Sequence, residues 1–297
     1  MLIAAIDIGS NAVRLLFAEA NKEKQQISIR KHNLIRVPIR LGKDVYTKGV
    51  ISKKREENFI NTMKAFDALI KVYKPKYITA CATAAMREAS NGKEVLKRIK
   101  SETGLKIRLI DGVEEARIIR KTNKIDGDNS KAITMFIDVG GGSTEISVVK
   151  KNKLIRQESF KIGTIRLLNN KIKPKQWREL EKWLDEFKFF FGSINIIGSG
   201  GNINKLAKLF GNKKTQSLSY QSLQSTYKIM DAMTVKERMK KYHIREDRAD
   251  VIVPAAKIFL TILEQIKGDK VFAPKIGVAD GLVYELYEKY LEKNDSK

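Results

Sequence analysis

The sequence predicts an α/β protein built from two similar halves. Three observations carry that expectation. First, one short device occurs twice: Ile6-Asp7-Ile8-Gly9-Ser10-Asn11 near the start and Ile137-Asp138-Val139-Gly140-Gly141-Gly142-Ser143-Thr144 near the middle. In each, an apolar strand ends in Asp, turns on glycine with hydroxyl or amide residues, and continues as a second strand. A third strand follows both times, Gln26–Arg30 and Lys153–Phe160. Second, period-two strands are interleaved with apolar residues at helical spacing. Third, 297 residues suffice for two domains with separate cores. The polar stretch Asp126–Ser130 is the best linker, giving domains 1–125 and 126–297. A C-terminal helix from about residue 281 is free to pack back on the first half.

In order, Leu2–Asp7 reads as a strand, and Ala12–Ala20 as its hairpin partner across a short Gly-Ser-Asn turn. Gln26–Arg30 and Leu34–Leu41 read as two further strands. Ser52 opens a helix to about Tyr73, with Phe59, Met63, Phe66 and Ile70 on one core-facing side. Pro75 stops it. Tyr77–Cys81 is a strand, Ala82–Ala89 turn and helix, Gly92–Thr103 a helix closed by Gly104, Leu105–Ile110 a strand, and Asp111 to about Lys124 a helix. In the second half, Glu145–Lys150 and Lys153–Phe160 are strands and Gln176–Phe191 a helix packed through Trp177, Leu180, Trp183, Leu184 and Phe187. Ile194–Ile197 is a strand running into Gly198-Ser199-Gly200-Gly201-Asn202 and a helix Ile203–Leu209. Ser219–Met233 and Ala249–Ile266 read as helices around a basic stretch Thr234–Arg245. A turn and the helix Gly281–Tyr290 follow.

Composition narrows the class. Hydrophobic content of 42% with 31% charged residues describes a globular chain. The net charge of +24, from 58 Lys and Arg against 34 Asp and Glu, fits a polyanionic partner and equally a solvated, lysine-rich surface. A single cysteine, Cys81, in an apolar run excludes an intramolecular disulfide and reads as a small buried hydrophobe. The start, MLIAAIDIGS, lacks a basic n-region and reaches Asp7 early, so a signal peptide is not expected. No apolar run approaches the roughly 20 residues that span a bilayer. A soluble cytoplasmic protein without a membrane partner is expected.

The stretch Ala132–Glu145 carries the chemistry. Glycine lets bare backbone N–H groups come close to an anion, so the loop reads as a phosphate grip. Asp138 and Glu145 flank it and form the best pair for Mg²⁺ or Mn²⁺, which takes few carboxylates and keeps waters. Asp138 also suits a turn-capping role, compatible with the first. Neither a P-loop string nor a dinucleotide fingerprint occurs: after Gly142 the chain alternates as a strand, where those motifs need a helix. The Gly198–Gly201 cluster does open a helix, but its spacing is not that of a dinucleotide site.

These residues resemble the Ppx/GppA family of exopolyphosphatases and guanosine pentaphosphate phosphohydrolases. The matching stretches are Ala5–Asn11 with Arg14, Ala82–Ala89, Asp111–Arg117, Ile137–Glu145 and Gly198–Asn202, in the family's order along the chain. The resemblance implies the two-lobed actin-like ATPase fold, with ribonuclease H-like duplicated domains and an active site in the interlobe cleft. A homodimer is common in the family. Two departures stand out. With only His32 and His243, the chain is expected to lack the C-terminal His/Asp metal domain of longer members. Ala279-Asp280-Gly281 stands where the family often has Arg-Glu-Gly.

Hydrolysis of a terminal phosphoryl group needs an anion cradle, a metal and a group that activates water. The amides of Gly141, Gly142, Ser143 and Thr144, with those of Ser10 and Asn11, are the natural cradle, and Gly200 and Gly201 join it by the family match. Arg87 follows a strand and turn, and its planar fork suits phosphate oxygens; the family places a phosphate-binding arginine there. On residues alone, pairing with a surface carboxylate is the simpler role. Arg14 is a further phosphate-binding candidate, or a solvent-facing strand residue. Glu114 and Glu115 point about 100° apart on a helix. Asp111-x-x-Glu114 fits a capping-box-like start, which occupies Glu114 and leaves Glu115. The family comparison places the water-activating glutamate at Glu115; without it, both acids simply favour the helix dipole. The expected activity is release of orthophosphate from inorganic polyphosphate. Alternatives are removal of the 5′ terminal phosphate of guanosine pentaphosphate (pppGpp), a silent polyphosphate or nucleotide sensor, and a kinase of the same fold. Nucleic-acid binding has charge alone behind it and ranks low.

Overall fold

A computed structural model describes residues 1–23, 26–122, 133–151, 153–187 and 194–295. The expected linker 126–130 lies outside them. The chain divides into two compact units, Met1–Asn123 with Gly277–Lys297, and Lys124–Ile276.

The first unit opens with β1 (Leu2–Ile8), β2 (Val13–Glu23) and β3 (Gln26–Val37), then α1 (Leu41–Lys48), α2 (Lys53–Tyr73), β4 (Tyr77–Ala82), α3 (Ala84–Glu88), α4 (Gly92–Thr103), β5 (Arg108–Leu109) and α5 (Gly112–Lys121). Its sheet runs β3-β2-β1-β4-β5, with β1–β2 and β2–β3 antiparallel and β1–β4 and β4–β5 parallel. β1 is an apolar run because helices cover the sheet at its centre.

The second unit holds β6 (Ile133–Val139), β7 (Thr144–Lys150), β8 (Lys153–Phe160), α6 (Thr164–Leu168), α7 (Pro174–Asp185), β9 (Ile194–Ser199), α8 (Gly201–Phe210), β10 (Ser217–Ser219), α9 (Tyr220–Asp231), α10 (Val235–Tyr242), α11 (Glu246–Ala249), α12 (Ile252–Gln265) and β11 (Lys270–Phe272). Its sheet order is β10-β11-β9-β6-β7-β8. Read from β8, the first five strands repeat the order and directions of the first sheet. α12 fills this core with Ile252, Ile258, Phe259, Ile262 and Leu263. Pro254 sits in its first turn, where a missing N–H leaves no bond unmade.

The last helix, α13 (Val278–Asp295), returns to the first unit, packing Val278, Leu282, Val283 and Tyr287 with Ile3, Leu16 and Ile118. No helix among the described residues is long and apolar enough to cross a membrane.

Several boundaries differ from the sequence expectations. Gln26–Arg30 and Leu34–Leu41 are not two strands: β3 runs unbroken to Val37, and residues from Leu41 are helical. The register shifts between Phe17 and Ala18 of β2, where the pairing passes over His32, and this irregularity interrupts the ladder without ending β3. The Leu105–Ile110 strand is only Arg108–Leu109. The apolar stretch from Ala249 is split between α11 and α12. The part of the Gln176–Phe191 helix beyond residue 187 lies outside the described residues.

Candidate functional site

The two repeated loops have one geometry. In the first, Ile8 pairs with Val13 and Asp7 with Arg14; in the second, Val139 pairs with Thr144 and Asp138 with Glu145. Four residues close each turn, and each is pinned by the same bond: Gly9 N–H to Ala12 O at 3.1 Å and Gly140 N–H to Ser143 O at 2.9 Å. Gly9 therefore matches Gly140, and Ser10 and Asn11 match Gly141 and Gly142.

A short helix seats each loop from behind. In the second unit, Thr164 N–H donates to Gly140 O at 3.0 Å, Ile165 N–H to Gly141 O at 2.9 Å, and Arg166 Nε to Gly142 O at 2.7 Å. No peptide among the described residues is cis, and in a planar trans peptide the N–H points opposite its C=O. Three carbonyls held by α6 therefore turn the amides of Gly141, Gly142 and Ser143 away from it together. Such successive amides make an anion-binding concavity. The seat is tight: a Cβ on Gly163 would lie 2.4 Å from Gly142 C and 2.5 Å from Gly141 O. In the first unit, α1 does the same job, with Gly42 N–H to Ser10 O at 2.8 Å and Arg40 N–H to Asn11 O at 3.0 Å. Ser10 Oγ is bonded to the Tyr46 hydroxyl at 2.7 Å. The Thr144 hydroxyl donates to Ile162 O at 2.6 Å and so holds the loop, leaving the backbone to contact a ligand.

The loops differ in charge. In the first, Arg14 Nη1 donates to Asp7 Oδ2 at 2.8 Å. Burial pushes Asp7 above the usual carboxylate range, Arg14 opposes that, and Asp280 adds to it. In the second, two acids occupy the matching positions. Residues directly opposite on antiparallel strands share a face, and like charges there repel. Asp138 accepts from Ser199 Oγ, and Glu145, 2% exposed, accepts from Ser159 Oγ at 2.8 Å. Gly200 closes on this loop at φ 105°; a Cβ there would meet Val139 O at 3.1 Å. Gly201 then opens α8, its carbonyl accepting from Arg248 Nη1 at 2.9 Å.

In the first unit, Asp7 pairs with Cys81 and Cys81 with Arg108, so the C-terminal ends of β1, β4 and β5 lie side by side. That end of a parallel sheet is where ligands bind in open α/β folds. Glu115 lies in the first turn of α5 and is 7% exposed. Burial, then the charges of Asp7 and Glu115, push the Cys81 thiol well up. Asp111 caps α5 by accepting from Glu114 N–H at 2.8 Å. The Glu114 carboxylate does not reach back to the helix start; it pairs with Arg108. Exposed Arg87 donates from Nη1 to Ile110 O at 2.6 Å, beside the same helix start.

Residue patterning missed α1, α6, Arg166, Ser159 and Ser199. A signal for α6 was present in Ile162-Gly163-Thr164, where an apolar strand end meets a glycine and a hydroxyl.

Comparisons with known proteins give a family and a fold. Residues 21–290 match the profile of the Ppx/GppA phosphatase family. A bifunctional 3-dehydroquinate synthase/phosphatase of Fusobacterium nucleatum is 33% identical over 220 residues, 67% of this chain. The chain spans 33% of that relative's length. Exopolyphosphatase 1 of Mycobacterium leprae is 24% identical over 279 residues, covering 87% of this chain and 81% of the relative. Among solved structures, the Aquifex aeolicus Ppx/GppA family member superposes with TM-score 0.75 at 27% identity, covering 98% of both chains. An exopolyphosphatase from Cytophaga hutchinsonii gives TM-score 0.82 at 23% identity over 97% of this chain and 98% of the other. The α/β actin-like fold expected from the sequence is the fold found.

Proposed function

The chain belongs to the Ppx/GppA phosphatase family, and from that membership we propose that it is a metal-dependent exopolyphosphatase, releasing orthophosphate from the end of inorganic polyphosphate. As a family member it is a phosphoanhydride hydrolase. The observation that carries the proposal is the tethering of the Gly140, Gly141 and Gly142 carbonyls to α6, which turns three successive amides outward as a cradle. Preorganised donors of this kind stabilise charge on a transferring phosphoryl group.

The donors beside that cradle suit a hard divalent cation, because two carboxylates in register offer oxygen ligands only. Asp138 and Glu145 are assigned to hold Mg²⁺ or Mn²⁺. When bound, the ion neutralises charge on phosphate oxygens. Glu115 is assigned the water. Its carboxylate takes a proton as the water oxygen attacks the terminal phosphorus. The bond from that phosphorus to the bridging oxygen breaks, the shortened chain keeps that oxygen, and orthophosphate leaves. Ser10, Asn11, Arg87 and the start of α8 at Gly200 and Gly201 are assigned contacts to the phosphate chain. Arg14 has a smaller part, because Asp7 holds one of its nitrogens.

Polyphosphate is preferred to pppGpp because a +24 chain suits a long polyanion and because relatives named exopolyphosphatase cover 87% of the chain. A homodimer is assigned on the family resemblance alone, and a cytoplasmic location on the chain's single cysteine. Phosphate release should be measured from short polyphosphate, long polyphosphate and pppGpp side by side. Release from polyphosphate is expected, with Glu115→Gln losing about 10²–10⁴-fold in turnover while still binding polyphosphate. Release from the nucleotide alone sinks the substrate assignment. A wild type inactive with both Mg²⁺ and Mn²⁺ sinks the hydrolase reading.

A further inference from the structure

Each sheet leaves a long strand at an open edge, β3 in the first unit and β8 in the second. β2 and β7 occupy one side of these strands, and no strand among the described residues pairs with the other side. An edge strand presents a row of unpaired N–H and C=O groups that a further strand can join.

The duplicated halves treat this edge in opposite ways. β3 carries Arg30, Lys31, His32 and Arg36, with no acid from Gln26 to Val37. A second copy laid against it meets charge of its own sign, a common protection of an edge. β8 instead carries both signs, with Lys153 and Arg156 against Glu158. It also exposes two consecutive aliphatic residues, Leu154 at 44% and Ile155 at 50%. Val149 pairs with Leu154 and Val148 with Arg156, so Ile155 is the extra residue of a bulge and has no partner on β7. From Arg156 to Phe160 the ladder is regular, and this stretch is the one that a further strand can pair.

Charge selects both the occupant and the register. Arg156 and Glu158 are two residues apart, so they share a face of the strand. With a second β8 laid antiparallel and Gln157 opposite Gln157, each Arg156 stands across from Glu158 of the other copy. The two-fold axis makes that pair occur twice. Opposite charges directly across a ladder attract, and like charges repel. An axis at Arg156 sets Arg against Arg, and an axis at Glu158 sets Glu against Glu. Within its own chain Arg156 pairs with Glu186, and both side chains are exposed, so that pair holds weakly. Glu158 accepts the N–H of its neighbour Ser159 at 3.2 Å, also at the surface. Both bonds can therefore give way to the cross-strand pair.

We propose that the outer edge of β8 is a self-pairing surface, on which a second copy of this chain adds its own β8 antiparallel about Gln157. The two six-stranded sheets are then joined edge to edge. The interface follows from strand order and charge, and it does not depend on what the glycine loop hydrolyses.

The test is sedimentation of the full chain over a range of concentrations. A dimer that forms with rising concentration is expected. Arg156→Glu or Glu158→Arg alone turns both cross-strand pairs into like charges and should weaken the dimer by about 10-fold or more. The two substitutions together restore opposite charges and should bring the affinity back to within about 3-fold of wild type. Unchanged thermal melts serve as the folding control. A cross-link gives the register independently. Residues opposite on antiparallel strands have Cα atoms about 4.5–5.5 Å apart, within the roughly 4.4–6.8 Å that a disulfide spans. Gln157→Cys should therefore yield a covalent dimer with oxidised glutathione, and the native Cys81, 0% exposed, should not react. A chain that stays monomeric overturns the proposal. So does a dimer indifferent to both single charge reversals, or one that Gln157→Cys fails to link. Phosphate release is not the readout, so failure here leaves the hydrolase reading as it was.

Discussion

Ser159 sits on β8 and donates its hydroxyl to Glu145 Oε1 at 2.8 Å, which fixes the direction in which that carboxylate points. Partners of this kind orient metal ligands, and their loss typically costs about 10–100-fold in metal affinity. Ser159→Ala should therefore raise the Mg²⁺ concentration for half-maximal phosphate release by about 10-fold or more, with turnover at saturating metal within about 2-fold of wild type. A metal titration of both proteins decides it; coincident curves would remove Glu145 from the metal site. The sequence reveals Asp138 and Glu145 because they flank a glycine run, and such runs are rare enough to notice. Ser159 carries no such local mark. A serine on an edge strand is commonplace, and its importance comes from register with β7, which pairs it with Glu145. Arg166 is hidden for a related reason: 9% exposed, it acts through a bond to a residue 24 positions earlier.

α13 is joined to α5 by packing and charge together. Gly281 meets α5 so closely that a Cβ would lie 2.3 Å from Ile118 O. Beside it, buried Glu285 accepts from Arg117 at 3.0 Å and from Lys289 at 2.7 Å. Burial pushes the Glu285 carboxyl up, but Lys289 and Arg117 outweigh it and hold it below the ordinary range. A carboxylate with a depressed folded pKa stabilises above its unfolded pKa and loses that contribution as pH falls through the folded one. Glu285→Gln should thus cost about 1–3 kcal/mol at neutral pH, and the cost should shrink in acid, once pH falls through a folded pKa held below the ordinary glutamate range. Urea unfolding of wild type and variant in neutral and acid solution measures this; a pH-independent difference would mean shape, not charge, joins the helices. Long elements such as α2 and α4 are readable from apolar spacing and from the Pro75 and Gly104 that stop them. α1 and α6 are not, at 8 and 5 residues, because a helix of about one to two turns repeats its apolar spacing too few times to be read. They are held by loops distant in sequence, and local propensity does not register that. The 3-residue strands β10 and β11 were lost in the same way.

At the scale of the molecule, the duplicated plan was legible because both copies keep the strand–Asp–turn–strand order, and the sheets match, β3-β2-β1-β4-β5 in the first and β8-β7-β6-β9-β11 in the second, where β10 is added at the edge. The net charge was legible as a number but not as a role, since +24 fits a polyanion partner and a solvated surface alike. Salt separates them. At about 0.1 M ionic strength charges further apart than roughly 10 Å are largely screened. A short substrate held by the glycine-loop amides depends on contacts inside that distance, and its binding should change little. A long chain that lies across many lysines displaces counterions at each one, and its affinity falls steeply as salt rises. Between about 50 and 200 mM NaCl, KM for long polyphosphate should rise by about 10-fold or more, and KM for tripolyphosphate by less than about 3-fold. The comparison must use both substrates on one preparation, because ionic strength also acts on the metal and on protein stability, and those effects move the two KM values together. Parallel curves would assign the lysine excess to solvation and confine substrate recognition to the loops. Divergent curves would make the surface charge part of recognition.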